Sequence, residues 1–197
     1  MVPADLAKAL VEIGQRMDSR SWVPGSAGNL SARIDEGRIA ITRSGVHKGR
    51  LTVADIIAVD LDGHPLVAGQ KPSAETLLHC QLYRLFPAIG AVLHGHSVAA
   101  TVLSMLGGIT FSNYEILKAF GFATHELDVA LPVYENDQDI ARLAAYIEPL
   151  LIREPPIGYV IAGHGVYGWG TSVEHAFWRV EALEFLLSCE LERKRIK

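Results

Sequence analysis

The sequence predicts an α/β domain whose central, mainly antiparallel β-sheet is flanked by helices. Segments with helical spacing of apolar residues alternate along the 197 residues with short apolar runs of strand length. Two of these runs are separated only by Asp35-Glu36-Gly37, which predicts a hairpin and therefore antiparallel neighbours. Because no internal repeat, low-complexity tract or linker interrupts the pattern, we expect one domain over residues 1–197.

The individual elements follow from these two periodicities. A helix is predicted within residues 1–20, where Pro3 suits the first turn, and the hairpin strands are predicted at 30–34 and 38–42. Ser73 is a suitable N-cap for a helix at 74–86. The remaining elements are predicted as strands at 56–61, 89–93, 129–133 and 158–163, and as helices at 97–106, 112–120, 137–151 and 173–195.

Composition excludes several classes of protein. Hydrophobic residues make up 49% of the chain, which supports a substantial core, and no segment reaches the roughly 18 uninterrupted apolar residues of a membrane span. The net charge of −4, with a basic run only at 193–195, argues against a nucleic-acid surface. Charged residues within the first helix are unlike a signal peptide, so we expect a cytoplasmic protein. Cys80 and Cys189 then favour free thiols over a disulfide.

The most informative motif is a pair of histidines, His94 and His96, at the end of an apolar strand. Alternate residues of a strand point the same way, so both rings can bind one metal ion. His164, between two glycines at the end of another predicted strand, can complete a three-histidine site that leaves a position open for water or substrate. The pattern therefore predicts a catalytic metal site.

Glu75 lies near the predicted start of a helix, in the segment 72–76 (PSAET). A glutamate there can simply favour the positive end of the helix dipole. If this helix begins beside the metal, the carboxylate becomes a candidate fourth ligand or proton carrier. The sequence leaves these alternatives open.

Several loops are suited to binding an anion. They offer small side chains and backbone N–H groups, which bind phosphate well; the candidate residues are Gly28, Asn29, Ser44, Gly45 and Ser73. Ordinary turn chemistry explains each loop taken alone. Lys48 and Arg50 can add positive charge nearby, although solvated surface positions explain them equally well.

Taken in order, these motifs resemble the class II aldolase/adducin family. The resemblance runs from about residue 5 to residue 190 and is carried by 25–31 (GSAGNLS), 42–45 (TRSG), 72–75 (PSAE), 94–96 (HGH) and 163–165 (GHG). It implies one zinc ion per subunit, a homotetramer, active sites between subunits and a small sugar-phosphate substrate. Within the family the chain is most similar to dehydratases that act on a phosphorylated ketose.

The resemblance also implies residue roles. Zinc would act as a Lewis acid that stabilises an enediolate, and the dehydratases' catalytic glutamate matches Glu115 in the segment 114–118 (YEILK). An exposed helical glutamate paired with Lys118 is the alternative for Glu115. By the resemblance, Glu75 matches the acid/base position of the aldolases, whereas some dehydratases have a cysteine at that position. The role of this position therefore differs between the aldolases and the dehydratases of the family.

Three other functions compete with the dehydratase. A zinc-dependent aldolase of the fuculose-1-phosphate type would use Glu75 to carry the proton. A ribulose-phosphate 4-epimerase is a further alternative, and an adducin-like scaffold without metal is opposed by the intact set of three histidines.

Overall fold

The computed structural model describes residues 1–153 and 156–196 and contains five α-helices and nine strands within them. The helices are α1 (Ala4–Ser19), α2 (Thr76–Leu85), α3 (Val98–Ser104), α4 (Ile140–Arg153) and α5 (Val173–Arg195). The strands are β1 (Asn29–Arg33), β2 (Arg38–Thr42), β3 (Ile56–Asp60), β4 (Ala91–Gly95), β5 (Ile109–Ser112), β6 (Asp128–Leu131), β7 (Val133–Tyr134), β8 (Tyr159–Ile161) and β9 (Gly165–Gly170). Short 3-10 helices cover Lys48–Arg50, Val53–Asp55 and Glu115–Phe120.

Seven strands form the central sheet, in the order β3-β2-β1-β4-β9-β8-β7. Every neighbouring pair in it is antiparallel except β7 and β8, which are parallel. Strands β5 and β6 form a separate two-stranded sheet. The predicted fold class, an α/β fold with a mainly antiparallel sheet, is confirmed.

Helices cover both faces of the sheet, because alternate strand residues point to opposite sides. Leu30 and Leu93 belong to the core formed with α1 and the first part of α5. Ile41 and Val92 belong to the core formed with α2 and α4. His94 is two residues beyond Val92 and therefore faces α2, which places the histidine motif on the α2 side of the sheet.

Most predicted elements are confirmed, including the first helix, the hairpin and the final helix. The N-cap prediction was wrong: α2 begins only at Thr76, Glu75 occupies the capping position, and Ser73 lies before it. The predicted strand at 129–133 is two strands, because Pro132, which has no N–H to donate, separates β6 from β7.

Two other differences have clear physical causes. The helix predicted at 112–120 is only a 3-10 helix, which follows Asn113 with a positive φ of 60° and ends at left-handed Gly121. The sequence pattern did not predict strand β9, because three of its six residues are glycine, which weakens a strand pattern. At Gly168 an added Cβ would lie 2.6 Å from the Val180 side chain, so this glycine lets α5 pack against the sheet.

Within the described residues, no helix combines the length and apolar character needed to span a bilayer. Cys80 and Cys189 are both free thiols, as the sequence predicted.

Candidate active site

The three predicted histidines lie together at one end of the sheet. Each offers a ring nitrogen, and these atoms all lie within 4.8 Å of one another. The ring centroids are 4.6 Å apart for His94 and His96, 5.1 Å for His94 and His164, and 4.5 Å for His96 and His164. The expectation that these side chains converge is confirmed, and we call this group the histidine cluster.

The surrounding backbone fixes each ring. His94 is the fourth residue of β4, and His96 follows the strand, where its N–H donates to the carbonyl of Trp22 at 2.6 Å. His164 lies in the turn between β8 and β9. The hydroxyl oxygen of Thr101 in α3 lies 3.1 Å from the His164 carbonyl oxygen, and the Gly163 N–H donates to Ser104 Oγ at 3.0 Å. Helix α3 therefore positions the third histidine.

Gly165 permits the close approach of β9 to β4 beside the cluster. A Cβ added to it would lie 2.2 Å from the Gly95 carbonyl oxygen and 2.9 Å from Cε1 of His94. Neither contact can be relieved without moving β4 or rotating the His94 ring.

We expect Gly165→Ala to displace His94, to lower metal content and to destabilise the fold by about 1–3 kcal/mol, the usual cost of overpacking. Thermal unfolding and metal analysis of the purified variant would check this. Gly37→Ala is a matched control, because no atom lies within 4 Å of a Cβ added there. A Gly165→Ala protein with unchanged stability and metal content would contradict the packing argument.

The protonation of His94 shows that the cluster fits a cation. Nδ1 of His94 lies 3.0 Å from the carbonyl oxygen of Val166, which can only accept, so Nδ1 carries the proton. Burial lowers the pKa of His94 well below its ordinary value, so the ring is neutral and Nε2 bears a lone pair. Among the described residues Nε2 has no hydrogen-bond partner, although it is fully buried 3.2 Å from Oε2 of Glu75. A lone pair facing a carboxylate is unfavourable unless a cation lies near both.

Glu75 reaches the cluster from the start of α2. Its Oε2 accepts hydrogen bonds from Asn29 Nδ2 at 2.8 Å and from the Tyr167 hydroxyl at 2.7 Å, and its Oε1 lies 2.9 Å from His164 Nε2. Asn29, His94 and Tyr167 are direct neighbours across β1, β4 and β9, so their side chains form a row beneath the carboxylate.

The environment of Glu75 keeps its carboxyl ionised. Burial acts to raise its pKa, but the neighbouring His94 and His164 rings and the hydrogen bonds from His164 and Asn29 lower it more. The net effect is a pKa well below the usual range. Burial also lowers the pKa of His96 to about 4, so this ring is available as a neutral metal ligand.

A cleft of about 260 Å³ adjoins the cluster. All five residues predicted to bind phosphate line it together with Glu75 and His96; they are Gly28, Asn29, Ser44, Gly45 and Ser73. Its two outer loops are held side by side, because Ser44 N donates to the Lys71 carbonyl at 3.0 Å and Ser73 N donates to the Thr42 carbonyl at 3.2 Å. The side chain of Asn29 is largely committed to internal contacts, so the contribution it can make to an anion is a single remaining N–H.

Lys48 contributes a buried positive charge to this cleft. Its side chain is 2% exposed, and its Nζ donates to the carbonyls of Ser26 at 2.8 Å and Val46 at 2.7 Å. An ammonium group has three hydrogens, so one donor remains for the cleft. Burial lowers the pKa of Lys48 to about 8, which leaves it mostly charged at neutral pH. The sequence had left open whether this lysine was a surface residue.

Glu115 lies apart from the cleft of its own chain. Its side chain is 69% exposed at the start of a 3-10 helix, 2.5 Å from Lys118 Nζ and 3.4 Å from His125 Nδ1. The hydrogen bond from Lys118 holds the pKa of Glu115 below its usual value. Its catalytic role stays a prediction.

A larger, mostly apolar cavity of about 650 Å³ lies between β6 and the end of α4. The described side chains that line it include none of the residues predicted for chemistry. The smaller polar cleft beside the histidines is therefore the candidate active site.

The fold and the site together define an α/β protein in which three histidines, placed as metal ligands commonly are, lie beside a cleft of a size that suits an anion. The family model described as Class II Aldolase and Adducin N-terminal domain matches residues 8–191, and the chain belongs to this family.

Similar proteins cover nearly the whole chain. The methylthioribulose-1-phosphate dehydratase of Acidiphilium cryptum (strain JF-5) is 64% identical, over 100% of this chain and 94% of that protein. The dehydratase of the same name from Granulibacter bethesdensis is 56% identical, over 99% and 95%. Among solved structures, an L-fuculose 1-phosphate aldolase is similar in fold, with a TM-score of 0.83 and 24% identity over 100% of this chain and 89% of that one.

Proposed function

We propose that this protein dehydrates 5-methylthioribulose 1-phosphate to 2,3-diketo-5-methylthiopentyl 1-phosphate, a step of methionine salvage, with zinc as cofactor. The relatives at 56% and 64% identity, which match almost end to end, support this substrate. The observation that carries the chemistry is the convergence of three histidines and Glu75 at the edge of a phosphate-sized cleft.

His94, His96 and His164 would hold one zinc ion per subunit. Three neutral imidazole nitrogens with an open position are the donor set of catalytic zinc, and the buried Nε2 of His94 needs a cationic partner. When bound, zinc would supply Lewis-acid stabilisation of the negative charge that develops as carbon 3 of the ketose loses its proton.

The cleft would hold the phosphate of the substrate. Backbone N–H groups of Gly28 and Gly45 and the hydroxyls of Ser44 and Ser73 are suited to its oxygens, and the charge of Lys48 offsets part of that of the dianion. Because His96 lines the same cleft, a phosphate bound there would lie near the histidine cluster.

Dehydration requires one proton to be removed from carbon 3 and one to be delivered to the hydroxyl that leaves carbon 4. We assign this proton transfer to Glu115. Glu75 already accepts hydrogen bonds from Asn29 and Tyr167 and contacts His164, so it is better suited to holding the site's geometry than to exchanging protons.

This assignment requires a second copy of the chain. We propose a homotetramer in which Glu115 enters the cleft of an adjacent subunit. Support comes from an exposed apolar patch on α3 and just beyond it, beside the His164 turn, where Val98 is 67%, Met105 71% and Leu106 57% exposed. Exposed apolar patches of this kind mark protein interfaces.

Phosphate binding gives a first test. We expect Lys48→Met to raise the KM for the ketose phosphate about 10- to 100-fold, because loss of a charged hydrogen bond costs roughly 1.5–3 kcal/mol. Inorganic phosphate should inhibit the parent enzyme competitively and the variant far more weakly. Steady-state kinetics with and without phosphate would measure both effects. Lys8→Met, at an exposed position of α1, is the matched control.

Unchanged phosphate inhibition in Lys48→Met would contradict the cleft assignment. Circular dichroism and thermal unfolding must accompany the kinetics, because Lys48 also joins two loops through its contacts with Ser26 and Val46.

Metal removal tests the enzyme against a metal-free scaffold. We expect the purified protein to contain about one zinc per subunit, to lose dehydration when treated with a chelator, and to recover it when zinc is restored. Protein that contains no metal and still converts the substrate would contradict the proposal.

An aldolase is the alternative function. It is favoured by the position of Glu75 beside the cluster, since this residue matches the acid/base position of the aldolases. The two functions make opposite predictions for the Glu75→Gln and Glu115→Gln variants.

A further inference from the structure

A chain of buried polar side chains leads from the histidine cluster into the protein interior. Its members, each at most 9% exposed, are Glu75, Asn29, His79, Ser31 and Tyr83. Asn29 Nδ2 donates to Glu75 at 2.8 Å, and its Oδ1 contacts His79 Nε2. His79 Nδ1 lies 2.7 Å from Ser31 Oγ, which lies 2.9 Å from the Tyr83 hydroxyl.

This chain of polar side chains forms because the residue spacing along α2 nearly matches the spacing along β1. Glu75, His79 and Tyr83 are four residues apart, from the cap of α2 along one face of the helix, which spaces them about 6 Å apart. Asn29 and Ser31 are two residues apart on one face of β1, which spaces them about 6.6 Å apart. When α2 packs along β1, each strand side chain therefore fits between two helix side chains.

Between Glu75 and Ser31, only one assignment of donors and acceptors satisfies every hydrogen bond. The ionised carboxylate only accepts, so the amide nitrogen of Asn29 faces Glu75 and its oxygen faces His79. His79 must therefore carry its proton on Nε2 and accept from the Ser31 hydroxyl at Nδ1. Burial lowers the pKa of His79 to about 4, in agreement with a neutral ring.

From this geometry we propose that His79 is a positioning residue, which fixes the Asn29 amide and through it holds Glu75 against His94 and His164. The inference rests on the proposed function, since it assigns a role within the same site. His79 is not itself one of the described residues that form the histidine cluster or line the cleft. Its effect is therefore transmitted through Asn29.

Without His79, the oxygen of Asn29 loses its donor and the amide is free to rotate. The hydrogen bond to Glu75 is then no longer enforced, so the carboxylate can leave its position between the two histidines. Residues that orient the surroundings of a metal site typically contribute about 10- to 100-fold to metal affinity or activity.

The test compares His79→Leu with His79→Gln in the zinc-loaded, full-length protein. Leucine removes both hydrogen bonds, whereas glutamine can donate to Asn29 from its amide nitrogen and accept from Ser31 at its oxygen. We expect His79→Leu to weaken zinc binding about 10- to 100-fold in competition with a chelator and to lower kcat more than it changes KM. His79→Gln should restore most of both.

Leu82→Ala is the matched control, because Leu82 is a fully buried residue of the same helix that takes no part in the polar chain. It should lower thermal stability and leave zinc affinity unchanged. Nitrogen-15 NMR of the histidine rings gives a readout that needs no variant, and we expect His79 to be neutral and protonated at Nε2.

Several results would overturn the proposal: a proton on Nδ1, unchanged zinc affinity in His79→Leu, failure of His79→Gln to restore it, or an equal loss in Leu82→Ala. If the parent protein fails to dehydrate the ketose phosphate, the proposed function is wrong, but zinc affinity and the NMR tautomer still decide the role of His79.

Discussion

Replacing His94 with alanine should reduce bound zinc from about one ion per subunit to trace levels and reduce dehydration to background. His94 is fully buried between Glu75 and the other two histidines, and a site left with two imidazoles has too few protein ligands for catalytic zinc. The fold should persist, because the alanine still fits β4. Metal analysis, turnover and circular dichroism would measure the three effects.

The control for this variant is His64→Ala. His64 is an exposed histidine that lies close to Asp60 and Asp62, the second group of described residues that could offer ligands to a metal. We expect this variant to keep its zinc and its activity. Full zinc content in His94→Ala, or loss of zinc in His64→Ala, would show that the metal lies elsewhere.

The second large effect is expected for Glu115→Gln, which should lower the rate of dehydration about 10²- to 10⁴-fold. The amide keeps the shape of the side chain but cannot carry a proton, and zinc content should stay normal. If the protein is an aldolase, Glu75→Gln should be the severe change and Glu115→Gln the mild one. Both variants should be compared on the same substrates with metal measured in each.

A mixing experiment decides whether Glu115 acts in a neighbouring subunit. Glu115→Gln and His94→Ala chains, each inactive alone, should regain about a quarter of the parent activity when they are assembled together. One site in four then combines an intact metal subunit with an intact Glu115 donor. A mixed assembly without activity would contradict action across subunits, and a Glu115→Gln enzyme near the parent rate would end the assignment.

The histidine cluster could be predicted from the sequence because its signals are local. Two histidines separated by one residue share a strand face, and glycines on both sides of His164 indicate a tight turn. The five residues predicted to bind phosphate lie in or beside turns that the sequence also indicates, since small turn-forming residues are typical of loops with free backbone donors. The structure adds that all of them meet in one cleft.

Other features depend on packing between distant segments. Strand β9 was missed because its glycines, which allow α5 to approach, weaken the strand pattern. The burial of Lys48 depends on the carbonyls of Ser26 and Val46, and the role of His79 depends on how α2 packs along β1. The role proposed for Glu115 could not be derived from a single chain, because it depends on a neighbouring subunit.

The central claim is tested most directly by incubating the zinc-loaded protein separately with 5-methylthioribulose 1-phosphate and with fuculose 1-phosphate and identifying the products. We predict loss of water from the first substrate, with formation of the diketone, and no cleavage of the second. Formation of an aldehyde from either sugar phosphate, with no diketone, would contradict the account and assign the site to an aldolase.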